Sequence, residues 1–372
     1  MGYRLIMVNY QRPAFINKSE GFSILYFRAS GNFLIINGAL EEFFLDSMNL
    51  EKIDYNITVD NLISKHAEFK DCFIDPKHVI IDNNDDYDFS SSQALLSSQL
   101  RLSNQLIEIR FDLQSTKDIF LSAYEHLKTL KKFTIANNIL SIVNDKNKLY
   151  LFSESKILSI GLKKEYYKLQ AQFANKLIEY YHDSESNQWL CSFHACAVKK
   201  NNKTYLILGD SGAGKSTLTA LLCASGYRFI GDDLILMDKE FNIYDNPAAI
   251  SVKENSWNIV SKYHKEIYTI SESNRKKGNI KMKYLPLHLI QNNTPKKHKI
   301  SALIWVNYTS KLKTQLKPLS SFDVCSKLIP DTWVNPDLNY PELFAHWLIS
   351  SKGFQLRYSD FSSLKNIFDR YL

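Results

Sequence analysis

Eight consecutive residues, GDSGAGKS from Gly209 to Ser216, carry the clearest chemical signal in the chain. They match the Walker A pattern G-x-x-x-x-G-K-[ST], in which glycines let successive backbone N–H groups turn toward phosphate oxygens. Lys215 adds a mobile positive charge for the outer phosphates, and the Ser216 hydroxyl is suited to bind Mg²⁺. The predicted phosphate-binding residues are Gly209, Asp210, Ser211, Gly212, Ala213, Gly214, Lys215, Ser216 and Thr217.

The segments on both sides of this loop have the patterns of a strand and a helix. Thr204–Leu208 is a short apolar run rich in strand formers, and Thr217–Ala224 is typical of a helix, with Gly226 placed as its C-cap. The chemistry requires this order, because the N-terminus of a helix helps to hold an anion.

Two adjacent carboxylates and one histidine lie close to the loop in the sequence. Asp232 and Asp233 follow the predicted strand Tyr227–Ile230. One carboxylate could position a metal ion or water while the other accepts a proton from an attacking hydroxyl. Neighbours in a strand point to opposite faces, so the division of roles stays open. His194, one strand upstream of the loop, is suited to bind phosphates; by itself it would fit a structural histidine better.

Composition and charge narrow the class of protein. The 372 residues are 45% hydrophobic and 23% charged, which is ordinary for a soluble globular protein. The net charge of +7 is concentrated between Ser273 and Lys299, where eight Lys or Arg occur without an acid. A nucleic-acid-binding protein would spread its charge over a broad face, so nucleic acid is not expected as a partner. The basic segment fits phosphate handling or an acidic substrate, and equally a solvated loop.

Cysteine usage and apolar runs indicate the compartment. Five cysteines, an odd number without a C-x-x-C pair, predict reduced thiols rather than a disulfide framework or a zinc site. No apolar stretch approaches 18 residues, so no membrane span is expected. The N-terminal residues lack the apolar run of a signal peptide, and we expect a cytoplasmic protein.

A polar, acidic stretch at Asn83–Ser92 predicts the first boundary, with a linker over 86–105. Residues 1–85 then form a small α+β module whose outline is compatible with a winged helix. Its predicted elements are a strand pair, Phe22–Phe27 and Phe33–Ile36, two short helices, Ala39–Ser47 and Thr58–Lys65, and a strand, His78–Asp82. Further predicted elements are the strands Leu106–Leu113, Leu140–Val143, Lys148–Phe152, Lys156–Ile160 and Ala302–Trp305, and the helices Tyr166–Tyr181 and Ser362–Leu372.

Three motifs together resemble the HPr kinase/phosphorylase family and its wider set of HPr-kinase-like proteins. They are His194-Ala-Cys-Ala-Val, then GDSGAGKST, then GYRFIGDDL, which match densely over residues 191–236. A looser match extends through Asn246–Lys253 to Leu356–Asp360. The resemblance implies an α/β fold: a P-loop kinase domain of the HPr kinase and phosphoenolpyruvate carboxykinase-like type over 106–372, beside the small N-terminal module.

The resemblance also implies roles for individual residues. Ser216 would bind Mg²⁺ and Lys215 the β- and γ-phosphates of ATP. Asp233 would accept the proton of the substrate hydroxyl, Asp232 would support it or the metal, and His194 would contact the phosphates. Positioning and charge neutralisation are most of what phosphoryl transfer requires, so this set is chemically sufficient.

The chain departs from the family at two places. The acidic residue and Arg-Gly run on the substrate side are not found after Asp233, and Glu254 is a candidate replacement ligand. Thr217 stands where the bifunctional enzymes carry an acid. The first departure argues against HPr as the substrate, and both argue against the reverse phosphorylase reaction.

Divergent members of this set include serine kinases of peptide natural-product pathways. The sequence therefore favours an ATP- and Mg²⁺-dependent kinase whose partner is a peptide or protein with an acceptor serine. Two alternatives stay open: a kinase of a small-molecule hydroxyl, and a nucleotide-binding regulatory module with little turnover. Relatives form hexamers, which leaves an oligomer open for this chain.

Overall fold

The computed structural model describes most of the chain. The described residues are 11–38, 42, 46, 55, 59, 62–64, 70–73, 96–129, 135–184, 189–275, 280–287, 294–309, 312–337 and 339–371. The predicted strand His78–Asp82 lies outside them, and so does most of the predicted helix Ala39–Ser47.

Strands dominate the described residues, and the fold is a mixed α/β arrangement with several sheets. The strands are β1 (Phe15–Ser19), β2 (Phe22–Phe27), β3 (Asn32–Asn37), β4 (Leu96–Leu102), β5 (Gln105–Phe111), β6 (Asn138–Asp145), β7 (Lys148–Ser153), β8 (Lys156–Leu162), β9 (Trp189–Phe193), β10 (Cys196–Lys200), β11 (Lys203–Leu208), β12 (Arg228–Gly231), β13 (Ile235–Asp238), β14 (Asn242–Tyr244), β15 (Ile250–Lys253), β16 (Ser273–Arg275), β17 (Ile280–Leu285), β18 (Lys297–Lys299), β19 (Ala302–Tyr308), β20 (Gln315–Pro318), β21 (Thr332–Val334) and β22 (Gly353–Tyr358).

The helices are α1 (Lys70–Phe73), α2 (Gln114–Leu121), α3 (Tyr166–His182), α4 (Lys215–Ala224), α5 (Trp257–Val260), α6 (Ser321–Leu328), α7 (Tyr340–Ile349) and α8 (Phe361–Tyr371). Short 3-10 helices occur at Ser122–Leu127, Lys163–Glu165, Glu254–Ser256, Lys265–Tyr268 and Ile329–Asp331.

The chain divides into two compact units, each built from two stretches of sequence. The first contains Met1–Ile80 and Leu319–Lys352, and the second contains Ile81–Pro318 and Gly353–Leu372. The division predicted from sequence, with 1–85 as the whole of the smaller module, therefore differs over 319–352. Those residues carry α6 and α7, whose membership depends on long-range packing.

In the first unit, β1, β2 and β3 form an antiparallel sheet. Gly31 turns between β2 and β3 with a φ of 70°, a conformation that glycine adopts without strain. Aromatic pairs join this sheet to the later helices: Phe33 meets Phe344 at 5.8 Å between ring centroids, and Phe22 meets Phe322 at 5.6 Å. The predicted strand pair is confirmed, and the winged-helix outline stays a prediction.

The second unit begins with a sheet in the order β4-β5-β6-β7-β8. The pair β5–β6 is parallel and its other neighbouring pairs are antiparallel. Leu96–Leu102 pairs along its whole length with β5, so the predicted linker at 86–105 is wrong for these residues. The sequence does not predict this strand, because four of its seven residues are polar, of which Ser97 and Arg101 are exposed.

Helix α3 covers this sheet with one apolar face, as its sequence pattern predicts. Phe173 is fully buried and meets the ring of Phe120 at 5.5 Å and that of Tyr124 at 5.8 Å, both edge to face. These contacts make Phe173 a central residue of the core between α3 and α2.

The sheet beside the loop follows the order β12-β10-β11-β19-β22-β20. Its middle strands β11, β19 and β22 are parallel, whereas β12, β10 and β20 run antiparallel to their neighbours. The carboxyl ends of the parallel strands lie at one edge, where open α/β sheets commonly bind ligands. Two smaller sheets flank it, one with the neighbours β18-β14-β13-β9 and one in the order β15-β17-β16.

We expect Phe173→Ala to lower the free energy of unfolding by about 3–5 kcal/mol, because the variant loses a buried ring and leaves a cavity. Urea unfolding followed by far-UV circular dichroism measures the change. Tyr167→Ala is the control on the same helix, since Tyr167 is 53% exposed. Its expected change stays within about 0.5 kcal/mol. Equal unfolding midpoints for the two variants would show that this core does not limit stability.

Candidate functional site

The loop between β11 and α4 depends on glycines with positive φ. The values are 138° at Gly209, 90° at Gly212 and 95° at Gly214. A Cβ atom added to Gly209 would lie 2.7 Å from the carbonyl oxygen of Val306 in β19. A side chain at this position would therefore push the loop away from the sheet.

Two tyrosines at the carboxyl ends of β19 and β22 hold the loop against the sheet. The backbone N–H of Tyr308 donates to the Ala213 carbonyl at 3.1 Å. The Tyr358 hydroxyl donates to the Gly214 carbonyl at 3.2 Å, and the two tyrosine rings meet at 5.4 Å. The loop is thus fixed by neighbours about 100 and 150 residues away in the sequence.

Lys215 begins α4 and folds back along the loop. Its side chain is buried, with 7% of the residue exposed, and Nζ donates to the Gly209 carbonyl at 2.6 Å. Gly214 is the N-cap and supplies no side-chain capping bond. Because the first N–H groups of a helix have no intrahelical acceptor, they and the ammonium form a site suited to an anion.

Asp232 is the most heavily hydrogen-bonded carboxylate at the site. Only 4% of the residue is exposed. Its Oδ1 accepts from the Ser216 hydroxyl at 3.0 Å and from the Cys196 thiol at 2.7 Å. Its Oδ2 accepts from both the backbone N–H and the hydroxyl of Ser251, at 2.8 and 2.9 Å. One carboxylate therefore joins α4, β10 and β15.

Burial raises the pKa of Asp232 to about 6, and the charge of Asp233 adds to this effect. The donors Cys196 and Ser251 act in the opposite direction and lower the pKa. Burial, followed by the charge of Asp232, raises the pKa of the Cys196 thiol well above its ordinary value. The thiol therefore keeps its proton and serves as a hydrogen-bond donor.

Asp233 takes a different direction from Asp232. Its φ of 63° is left-handed, a conformation that Asp tolerates better than most residues. The side chain lines the pocket above the loop, with Oδ2 at 3.4 Å from the Ser251 hydroxyl. Exposed His194 stands at the same edge, with Nδ1 3.2 Å from the Asp233 carbonyl oxygen. It donates there when Nδ1 carries the proton.

One pocket brings most of the predicted site residues together. Its volume is about 680 Å³ including the solvent at its open mouth. The predicted residues that line it are His194, Asp210, Ser211, Gly212, Gly214, Lys215, Ser216, Thr217 and Asp233. Gly209, Ala213 and Asp232 are not among its lining residues. Asp232 reaches the pocket through its hydrogen bond to Ser216.

Sequence reasoning missed part of this pocket. The lining residues without a predicted role are Ser251, Lys253, Asn255, Ser256 and Met282. The sequence identifies the stretch 246–253 only as part of a loose motif match. No local pattern marks a serine that will form a hydrogen bond to a distant aspartate. Thr217 donates to the Ser256 hydroxyl at 2.8 Å. Glu254, the candidate replacement ligand, is exposed and pairs with Lys281 at 3.9 Å; it does not line the pocket.

Several lysines of the basic segment have partners within the fold. Lys283 is buried and donates to the Ile267 carbonyl at 2.9 Å. Lys281 lies 3.4 Å from Glu272, and Lys297 lies 3.7 Å from Asp238. Lys299 donates to the Glu240 carbonyl. These lysines are tied into the structure rather than arranged as one open basic surface.

Comparison with known proteins does not assign this chain to a family. No protein-family model matches the chain, and no curated protein matches it. The structure is weakly similar to that of the HPr(Ser) kinase/phosphatase from Coxiella burnetii, with a TM-score of 0.24 and 12% sequence identity. The alignment covers 47% of this chain and 90% of that one. A similarity at this TM-score carries no argument about the fold.

The described residues contain neither a membrane-spanning helix nor a cluster of metal-ligand side chains. None of their helices is long and apolar enough to cross a membrane. They also contain no group of three or more His, Cys, Asp or Glu side chains placed to hold a metal ion.

We expect Gly209→Ala to lower the free energy of unfolding more than Gly212→Ala. Both substitutions force a side chain into positive φ, at about 1–2 kcal/mol. The Cβ at Gly212 meets nothing within 4 Å, whereas the one at Gly209 overlaps the Val306 carbonyl. Denaturant unfolding of the two variants measures the difference. Equal losses would mean that the close approach to β19 does not constrain the loop.

The raised pKa of Asp232 predicts a loss of stability with rising pH. Between pH about 4 and 6 the folded state keeps a proton that the unfolded chain has released, so the free energy of unfolding falls through this window and levels off above it. The loss is on the order of 2–3 kcal/mol.

Urea unfolding at several pH values, without ligands, tests this dependence. Asp232→Asn should remove the fall between pH 4 and 6, because the amide does not titrate. Asp210→Asn, an exposed carboxylate of the same pocket, is the control and should keep the fall. A parallel pH profile for wild type and Asp232→Asn would contradict the assignment.

Proposed function

We propose that the chain is a divergent HPr-kinase-like enzyme that transfers the γ-phosphoryl group of ATP to a hydroxyl, in a Mg²⁺-dependent reaction. The observation that carries the proposal is the hydrogen bond between Ser216 and Asp232, which ties the start of α4 to the paired aspartates. Two oxygen atoms suited to a metal ion thus lie beside the loop, and Asp233 lines the same pocket.

The loop fits the phosphates of a nucleotide. Gly212 has open space where a Cβ would stand, so the backbone can approach a ligand closely. The helix N-terminus of α4 faces the same space and favours negative charge. Lys215 is held by neutral carbonyl oxygens, partners that phosphate oxygens would replace with charge-assisted hydrogen bonds. The nine predicted residues from Gly209 to Thr217 would together form this ATP site.

Ser216 and Asp232 fit a magnesium ion. Both offer hard oxygen ligands, and their Oγ and Oδ1 atoms lie 3.0 Å apart. Magnesium usually keeps several waters and takes few protein ligands beside substrate phosphates, so two are enough. The ion would neutralise charge that develops on the phosphates. A metal ligand must be deprotonated, and with a pKa of about 6 the carboxyl group of Asp232 is mostly ionised at neutral pH.

Asp233 is the proposed proton acceptor. The oxygen of the substrate hydroxyl forms a bond to the γ-phosphorus while the bond between this phosphorus and the bridging oxygen of ADP breaks. The hydroxyl proton passes to the Asp233 carboxylate. The half-buried position of Asp233 leaves it open to the pocket, whereas Asp232 is used for support. Lys215 and His194 would stabilise the charge on the transferred group.

For the acceptor we propose a serine of a peptide or protein. The support is the family resemblance of the motifs; within it, the pocket has an open mouth lined by Lys253 and Asn255, which admits a polymer as well as a small molecule. A small-molecule hydroxyl is the second candidate. The regulatory alternative is weaker, because a module that only binds ATP has no use for Asp233, and because several basic-segment lysines already have partners. The cytoplasm remains the proposed compartment.

Asp233→Asn should leave ATP binding nearly unchanged and slow phosphoryl transfer by about 100-fold or more, since a general base contributes on that scale. Asn tolerates the left-handed backbone as Asp does, so the loop geometry is kept. Incubation with γ-labelled ATP, Mg²⁺ and a serine-rich peptide pool, followed by mass spectrometry, measures the transfer.

Lys215→Ala is expected to weaken ATP binding and transfer together, because it removes a cation from the phosphates. Lys239→Ala, which changes an exposed lysine that does not line the pocket, should retain activity. ATP binding with no transfer to any peptide would turn the proposal toward a small-molecule acceptor. Transfer at the wild-type rate in Asp233→Asn would remove that residue from the mechanism.

A further inference from the structure

A second cavity, of about 650 Å³ including the solvent at its mouth, is lined largely by cations. Its lining residues are Lys199, Lys200, Asn201, Gly226, Arg228, Lys296 and His298. They come from the end of β10, the turn after α4, the start of β12 and the entry to β18. No carboxylate occurs among them. None of the catalytic or phosphate-binding residues described above takes part.

A buried carboxylate fixes the floor of this cavity. Asp245 is 1% exposed and accepts from Arg228 Nη2 at 2.6 Å and from His298 Nε2 at 2.8 Å. The same carboxylate accepts from the backbone N–H of Lys296 at 3.0 Å. A buried acid that holds an arginine and a histidine in place gives a site defined geometry, as the outer partners of metal and phosphate ligands do.

The floor also keeps unused hydrogen-bonding groups. His298 is 3% exposed, yet its Nδ1 has no hydrogen-bond partner among the described residues, and neither does the buried Nε of Arg228. Buried polar groups without partners are uncommon in folded proteins. Both nitrogens are shielded from solvent, so a ligand in the cavity would contact the exposed cations that line it rather than these two atoms.

Strand register places like charges side by side at the rim. Lys199 lies directly opposite Arg228 in the antiparallel pair β10–β12, and Lys200 lies opposite Lys203 in the pair β10–β11. Like charges opposite each other destabilise a sheet. Asp245 supplies one negative charge, and Lys200 Nζ lies 4.8 Å from the centroid of the Tyr227 ring. The positive character of the cavity therefore rests mainly on Lys199, Lys296 and Arg228. A bound anion would offset this repulsion.

The cavity is separate from the pocket above the loop. Lys215 begins α4, and Gly226 of the cavity follows its last turn. At about 1.5 Å per residue, the two ends of the helix lie roughly 15 Å apart. The cavity and the loop therefore lie at opposite ends of α4.

We propose that this cavity is a second anion site, which takes the phosphate group of a phosphorylated small molecule. Arg228 and the lysines provide donors that match phosphate oxygens, and an excess of several positive charges favours a dianionic group over a single carboxylate. The cavity opens to solvent and is lined by seven residues, an extent that fits a small ligand rather than a nucleic-acid strand. This inference does not depend on the proposed kinase activity.

Isothermal titration with inorganic pyrophosphate tests the proposal. The wild-type protein should bind two equivalents, one at each end of α4. The double variant Lys199→Ala/Lys296→Ala should lose the second site, with Kd raised about tenfold or more, because two charge-assisted contacts are removed. Both side chains are at least partly exposed, so the fold should tolerate the change. Lys239→Ala, an exposed lysine outside both pockets, is the matched control and should bind like wild type.

Lys215→Ala separates the two sites. It should weaken binding at the loop and leave the cavity unaffected, so a failure of the proposed function would appear in this arm alone. A single equivalent in wild type that disappears in Lys215→Ala would overturn the second site. If the double variant binds two equivalents of pyrophosphate with the same Kd values as wild type, the second site is overturned as well. Tighter binding of a pentaglutamate peptide than of pyrophosphate at the cavity would overturn its assignment to phosphate.

Discussion

The carboxylate of Asp232 is the constraint on which the candidate site depends. Its two oxygens accept hydrogen bonds from Ser216 at the start of α4, from Cys196 in β10 and from Ser251 in β15. A buried carboxylate is costly unless its lone pairs are satisfied, and here four donors satisfy them. The same bonds hold α4 against β10 and β15, which belong to two different sheets. One buried carboxylate therefore helps to fix the position of the loop and also adds a negative charge beneath it.

Backbone conformation gives the two adjacent aspartates different surroundings. A regular strand would send them to opposite faces, but Asp233 has a left-handed φ of 63° and turns toward the open pocket. Gly231 precedes the pair at a place where a Cβ would lie 2.8 Å from side-chain atoms of Asn246 and Ile235. Tight packing on one side and a turn on the other produce one supporting carboxylate and one accessible carboxylate.

Helix α4 connects two regions of positive character. Its N-terminus opens on the glycine loop and Lys215, where the helix dipole adds to the ammonium. Beyond its C-terminus lies the cavity above Asp245, where the cations are strand and loop side chains. Lys296 is the cation that the basic segment Ser273–Lys299 contributes to this cavity.

Much of the local structure could be predicted from the sequence. The strand before the loop, the helix after it and the strand pair about Gly31 are confirmed, because glycine positions and hydrophobic periodicity act over a few residues. Helix α3 was predicted to within one residue of its C-terminal bound for the same reason. The roles of His194, Asp232 and Asp233 remain predictions from motif and resemblance, although the structure brings these residues to one place.

Tertiary structure decided what the sequence could not. Ser251 and Cys196 meet Asp232 across separations of 19 and 36 residues, and Tyr358 reaches Gly214 across 144. Residues 319–352 join the first unit by packing, against the order of the chain. The sequence alone predicted which groups are suited to bind phosphate, because the glycines and Lys215 of that motif lie within eight consecutive residues. Which donors surround Asp232, and which cations share a cavity with Arg228, depends on how distant strands come together, and no local pattern records that.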